Sequence, residues 1–270
     1  MKQKTTAQHD NVISGHYKIG AYFYDCIVFL LQLPVGGVSR WRRSLIGLID
    51  PSPDDTILEL CCGTGSVSLR LAKIVRKRIR ASDLSSDQIR IARSKAGILR
   101  RNVEFSVQDA SDTEYDDACS DKIVISGALH EIRVDRRIAI YREVRRLLKK
   151  DGHFFVSEPD MSERGWGKES FEFMFGRWNP EYVTAYELIH DGIQREVEEA
   201  GFRQESSCAS NFGVFRSRRF VRTGWPRFVY TPAQTGHSFR RKADGDSGVI
   251  RTLIPAESGQ FFRSSGINSA

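Results

Sequence analysis

Short apolar runs recur at residues 56–61, 79–82, 103–107, 122–126 and 153–157, and helical patterns at 66–76, 86–99 and 135–149 separate most of them. An apolar run without alternation marks a strand buried on both faces, and a helix between two such runs supplies the crossover that parallel strands need. The pattern therefore predicts an α/β domain with a mostly parallel sheet. Ser85 followed by Gln88 gives a capping box for the helix at 86–99, and "KKDG" at 149–152 is expected to close the helix at 135–149. A further helical stretch at 180–200 ends at Gly201, with Asn179 as its N-cap and Pro180 in its first turn. The segments 202–208 and 213–222 are expected to form a closing antiparallel pair at the sheet edge.

Length and composition set limits on this plan. A chain of 270 residues with 40% apolar content can bury one substantial core with appendages. No run reaches the roughly 20 apolar residues of a membrane span, and no N-terminal signal pattern is visible, so a cytoplasmic protein is expected. Cys26, Cys61, Cys62, Cys119 and Cys208 are odd in number and lack C-x-x-C spacing, which disfavours a zinc site or a disulfide framework. No metal is expected. Residues 216–270 carry ten Lys and Arg against three acids, which accounts for the whole formal charge of +7. This predicts a division into an N-terminal helical lid over 1–50, a folded domain over 51–222 and a basic, disordered tail over 223–270. No aromatic-and-basic stripe repeats along the tail, so a solvated appendage is favoured over a nucleic-acid or membrane arm.

The loop within "ILELCCGTGSVSLRLA" at 57–72 follows the first strand, where a doubly wound sheet binds its ligand. Gly63 and Gly65 let a ligand approach the backbone closely. The P-loop pattern G-x-x-x-x-G-K-[ST] is absent, which disfavours a phosphate cradle. A dinucleotide fingerprint would need a glycine at Ser68 and another at Cys61, so NAD is the weaker candidate.

With "LELCCGTGS", four further segments fall in order. They are "ASDLSSDQIRIA" at 81–92, "VEFSVQDA" at 103–110, "DKIVISGALHEI" at 121–132 and "REVRRLLKKDGHFFVSEP" at 142–159. Together they resemble the ordered motifs of the class I S-adenosylmethionine-dependent methyltransferases over roughly residues 55–160. The resemblance implies S-adenosyl-L-methionine as cofactor and a Rossmann-like sheet of order 3-2-1-4-5-7-6, mostly parallel with an antiparallel edge strand. It implies cofactor-binding roles for Glu59, Gly63 and Gly65 in the first loop, and for Asp83 on the ribose hydroxyls. Leu84 would lie against the adenine, Asp109 and Ala110 near its amino edge, and Ser126 at the end of the fourth strand. Beside these roles, Glu59 can also be read as capping a buried turn and Asp87 as a helix-start acid. The acids after Asp109 read as solvated surface.

"YKIGAYFYD" at 17–25 resembles the N-terminal segment of the ubiquinone/menaquinone C-methyltransferase group, although the asparagine usual a few residues later is missing and strand four reads "GALHEI". That resemblance implies a small, lipophilic or aromatic acceptor, with Tyr24 closing over the methionine part of the cofactor. Residues 22–48 include the basic amphipathic stretch "GGVSRWRRSLIGLI", which can either touch a membrane surface or pack on the domain as a lid. A methyl group on a sulfonium is already activated, so a base is needed only if the acceptor must lose a proton. His130 and Glu131, just past the fourth strand, are the candidates for it, with Glu158 at the end of the fifth as the other. Phe171, Phe173, Phe175 and Trp178 suggest an apolar acceptor wall. "NPEY" at 179–182 departs from the Asn-Pro-Pro-aromatic signature of base methylation, so a nucleic-acid target is disfavoured. Two rivals stand: an RNA or protein methyltransferase recruited by the basic tail, and a cofactor-binding partner protein without transferase activity.

Overall fold

The computed structural model describes residues 37–160 and 182–223. Tyr24, Cys26, Phe171, Phe173, Phe175, Trp178, Asn179, Pro180 and the basic segment from 224 onward, all singled out in the sequence, lie outside them.

The described residues form strands β1 (Ile57–Leu60), β2 (Ile79–Asp83), β3 (Val103–Val107), β4 (Ser120–Ser126), β5 (Leu148–Pro159), β6 (Phe202–Ser210) and β7 (Phe215–Arg222). They make a seven-stranded sheet of order β3-β2-β1-β4-β5-β7-β6, as the resemblance implied. The first five strands are parallel, while β7 runs antiparallel to both β5 and β6. The helices are α1 (Gly37–Ile49), α2 (Ser68–Leu71), α3 (Ser86–Leu99), α4 (Val134–Leu147), α5 (Tyr182–Glu187) and α6 (Ile193–Glu199), the last two joined by a widened turn, Leu188–Gly192.

Alternation along the strands fills both faces of the sheet. Ile123, Ile125, Phe154, Val156 and Phe220 point to one core with Tyr141 and Val144 of α4 and Val197 of α6. Val124 and Phe155 point to the other, against Leu45 and Ile49 of α1 and Leu71 of α2. Beneath α3, Ala81, Ile89, Ala92 and Phe105 form a third cluster. In α1, Trp41, Leu45 and Ile49 recur once per turn and are all buried, so its apolar stripe is used on the sheet, while Arg40 and Arg43 are exposed.

Three local expectations need correction. "KKDG" does not close a helix: α4 stops at Leu147, and β5 begins at Leu148. The β4–β5 register jumps from Ser120↔Leu148 to Lys122↔His153, so the segment is a bulge inside the strand. The Lys149 ammonium donates to Asp121 Oδ1 at 2.8 Å and Thr56 Oγ1 at 3.1 Å, contacts that the extended chain allows. A Cβ at Gly152 would lie 2.8 Å from the Asp121 carbonyl oxygen, so the bulge needs glycine there. The helix expected at 66–76 is one turn, Ser68–Leu71, after which the N–H groups of Lys73 and Ile74 bond three residues back. The capping box at α3 is half formed. Ser85 accepts from the Gln88 backbone N–H at 3.3 Å, but its own N–H donates to Asp83 Oδ1 at 2.9 Å, and Gln88 Oε1 is buried without a partner.

Candidate functional site

The loop after β1 is organised from below by Glu59, which is 2% exposed. Its Oε2 accepts from the Ser68 backbone N–H at 2.8 Å and from the Ser68 hydroxyl, fixing where α2 starts. Burial pushes the Glu59 carboxyl up to about 7, against the opposing pull of the two Ser68 hydrogen bonds. Cys61, Gly63 and Gly65 all have positive φ, of 54°, 51° and 75°. A left-handed residue at Cys61 explains why glycine would suit that position. The two glycines differ in what surrounds them. A Cβ on Gly65 would lie 2.6 Å from the Phe105 ring, whereas nothing lies within 4 Å of a Cβ on Gly63. Gly65 therefore serves packing, and Gly63 leaves the backbone open to a ligand.

The tips of β2 and β3 complete this half of the crevice. Asp83 Oδ2 accepts from the Gly63 N–H at 2.8 Å and Oδ1 from the Ser85 N–H at 2.9 Å, so one carboxylate joins both loops. Burial raises the Asp83 carboxyl above its ordinary value, the two backbone bonds opposing it. Leu84, beside it, is 69% exposed, a large apolar side chain waiting for cover. Asp109 accepts from the Ser111 N–H at 2.9 Å and its hydroxyl at 2.7 Å, and pairs with Arg136 from α4. Burial pushes its carboxyl up, but the Ser111 and Arg136 contacts outweigh that and hold it below the usual range. Ala110 is buried at the core edge, and Ser126 is half-buried at the end of β4 opposite Ser157. An exposed apolar face, two carboxylates and an open glycine on adjacent strand tips fit a nucleoside such as that of S-adenosylmethionine.

The three predicted acid–base residues come together on the other side of the crevice. Glu158 is fully buried; its Oε1 accepts from the backbone N–H groups of Ala128 and Leu129, each at 3.0 Å. Its Oε2 lies 2.6 Å from His130 Nδ1, on the short turn Leu129–Glu131. A hydrogen bond from Nδ1 to a carboxylate oxygen would leave Nε2 as the basic nitrogen of the ring, a tautomer assigned from the contact and not observed. Glu131 Oε1 is 3.8 Å from Nε2. Both oxygens of Glu158 are engaged, so its carboxyl is placed to orient the His130 ring.

Sequence reasoning missed the residues around this pair. Trp41 donates its indole N–H to Ser157 Oγ at 2.7 Å and stacks on Phe215 with ring centroids 4.3 Å apart. Its rim lies 3.3 Å from where a Gly127 Cβ would be, so α1 buttresses the loop that carries His130. Asp160, Arg216 and Arg218 also gather past β5. Arg216 and Arg218, two apart on β7 and so on one face of it, were the available signal.

Residues 57–152 match the family described as a methyltransferase domain. The ubiquinone/menaquinone biosynthesis C-methyltransferase UbiE of Acidiphilium cryptum (strain JF-5) is 33% identical over 138 residues, 50% of this chain and 53% of that protein. The chain thus spans about half the length of that relative. The enzyme of the same name from Caulobacter vibrioides (strain NA1000 / CB15N) is 27% identical over 75% of this chain and 88% of its own. Among solved structures, a SAM-dependent methyltransferase from Aquifex aeolicus shares the fold with a TM-score of 0.54, at 17% identity over 66% of this chain and 88% of that one. Motif order, strand order and the family match agree: residues 57–152 are similar to a methyltransferase domain, and the sheet they open has the strand order that the resemblance to the class I S-adenosylmethionine-dependent methyltransferases implied.

Proposed function

We propose that the protein transfers a methyl group from S-adenosylmethionine to a small aromatic, quinol-like acceptor, with His130 as the base. The observation that carries the reading is the His130–Glu158 pair, a buried imidazole 2.6 Å from a buried carboxyl at the carboxyl ends of β4 and β5. The relatives named as ubiquinone/menaquinone biosynthesis C-methyltransferases support the same acceptor class. In this reading Asp83 takes the ribose hydroxyls, Leu84 covers the adenine, Asp109 and Ala110 meet its amino edge, and Gly63 leaves room for the rest. Glu59, Gly65 and Ser126 support that loop and the strand end beside it. The bound cofactor supplies a methyl group on a positively charged sulfur, needing no further activation.

The acceptor's phenolic proton passes to His130 Nε2, and Glu158 stabilises the imidazolium that forms. The ring carbon would take its methyl from the bound cofactor, the sulfur keeping the electron pair, and the proton on that carbon would then return to the acceptor oxygen, by way of water, to restore the aromatic phenol. A lipophilic acceptor places the enzyme at a cytoplasmic membrane surface. No helix among the described residues is long and apolar enough to cross a membrane. Since the apolar stripe of α1 faces the sheet, contact through residues 22–48 would use its exposed Arg40 and Arg43 on anionic lipid.

The test is incubation with S-adenosylmethionine and a panel of reduced quinone precursors, phenols and phospholipid amines, followed by mass spectrometry. A methylated phenolic ring, lost in His130→Ala, is the expected result. Methylation of an amine alone, or cofactor binding with no product from any acceptor, would overturn the reading.

A further inference from the structure

Beyond the His130–Glu158 pair, the sheet carries a second polar cluster that no step above uses. Arg216 and Arg218 stand opposite Glu158 and Val156 in the β5–β7 register, so both lie on the face of the sheet that Glu158 occupies. Arg216 Nε donates to Asp160 Oδ2 at 2.8 Å, and Arg218 Nη2 lies 3.5 Å from Asp160 Oδ1. Asp160 is fixed at the strand end by its own N–H, which donates to the Val214 carbonyl at 2.9 Å. The side chains of Asp160 and Arg218 are only 8% and 11% exposed.

The cluster is out of balance. Two guanidinium groups share the Asp160 carboxylate, and Glu158 is already engaged by two backbone N–H groups and His130. Arg218 Nη1 is buried with no hydrogen-bond partner. Burial depresses the Arg218 guanidinium below its ordinary value, with Asp160 and Glu158 acting against that. Taking a guanidinium out of water and leaving one N–H group unpaired is costly, and a fold keeps such a group where something else completes it. The cluster sits at the carboxyl ends of the strands, where this architecture binds ligands.

We propose that Arg218, supported by Arg216 and Asp160, is the acceptor-anchoring residue, taking an anionic oxygen of an aromatic acceptor on its unpaired Nη1. This rests on the methyltransferase reading and deepens it: the acceptor carries a phenolate or a carboxylate. A guanidinium suits either, because its planar fork matches an oxyanion and it stays charged when buried.

The experiment is calorimetry on the full chain with S-adenosylhomocysteine, then with catechol, benzoate and neutral anisole as probes. The wild type, Arg218→Met and Arg218→Lys are compared, each with its melting temperature. Wild type should prefer benzoate, or catechol releasing a proton as it binds, to anisole. Arg218→Met should bind that probe about 10- to 100-fold more weakly, Arg218→Lys should fall between, and neither should change affinity for S-adenosylhomocysteine. Catechol binding more tightly identifies a phenolate source, benzoate a carboxylate. The Met variant should be at least as stable as wild type without ligand, because an incompletely paired buried charge is gone. Wild type that ignores every probe to about 10 mM, variants that bind the probes as wild type does, or a Met variant merely destabilised with its probe affinity intact would overturn the role of Arg218. Wild type that fails to bind S-adenosylhomocysteine would instead refute the methyltransferase reading.

Discussion

At the scale of single residues, burial decides which carboxylates can do what. Glu59 and Glu158 are both buried at strand ends, yet one accepts from Ser68 and sits under the glycine loop while the other grips a histidine. For Glu158 the consequence is kinetic. Glu158→Gln keeps the shape but places an amide where the ring needs a carboxylate, so kcat should fall by about 10²- to 10⁴-fold with cofactor affinity unchanged. His130→Ala should cost as much, and the double variant little more, since the pair acts as one unit. Steady-state rates on a confirmed acceptor check this; additive losses would separate the two residues. For Glu59 the consequence is stability. Its folded carboxyl titrates near 7, against 4.5 for the ordinary group. Between those values the unfolded chain has released a proton that the folded chain retains, so stability falls as pH rises from 4.5 to about 7 and is flat above. The integrated loss is on the order of 3 kcal/mol. Glu59→Gln can accept from Ser68 as before but has nothing to ionise. Urea denaturation at pH 5 and pH 8 should therefore show a drop in wild type that the variant lacks.

At the scale of elements, the glycine loop separates two demands that look alike in sequence. Gly65→Ala drives a methyl into the buried Phe105 ring at a φ of 75°, and should cost about 2–4 kcal/mol of stability. Gly63→Ala meets open space and should cost only about 1 kcal/mol for its backbone, yet its methyl fills the surface offered to the cofactor. Thermal denaturation with calorimetry on S-adenosylhomocysteine distinguishes them: the first variant should lose stability, the second affinity. Sequence alone could not rank them, because the difference is made by Phe105, which comes from a strand forty residues later. The same physics marks where the sequence was legible. Strands buried on both faces and the helix over α3 were read to within a few residues, because apolar periodicity is a local property. "KKDG" was misread, because Lys149 and Gly152 answer to Asp121 and Thr56 on another strand. That His130, Glu131 and Glu158 lie together was legible from their places at strand ends; that Glu158 faces two backbone N–H groups was not, since those belong to a turn after another strand.

At the scale of the whole molecule, arginines tie the antiparallel β6–β7 hairpin to the parallel half. Arg145 donates to the Gly201 and Thr223 carbonyls, at 2.7 and 3.1 Å, and Arg222 to that of Leu148 at 2.9 Å. The deepest tie is Arg137 of α4, fully buried, whose Nε and Nη2 donate to the two oxygens of Glu196 on α6 at 2.9 and 2.6 Å. Its Nη1 donates to the Ile132 carbonyl, at the end of the turn that carries His130. Burial works against the charge on Arg137, but the Glu196 hydrogen bonds outweigh it and raise the guanidinium above its ordinary value. One side chain therefore links α6 to the turn that carries His130. Glu196→Ala leaves the guanidinium buried without its partner and should cost about 3–5 kcal/mol. Arg137→Met with Glu196→Leu replaces the pair by apolar bulk and should restore most of that loss, since a buried ion pair gains little over good packing. Activity should not return with it, because Ile132 has lost the donor that fixes the His130 turn. A urea double-mutant cycle, with kcat measured on each variant, checks both halves. Recovery of stability and rate together would make the pair a purely structural clamp, and recovery of stability alone would make it the link that holds the base in place.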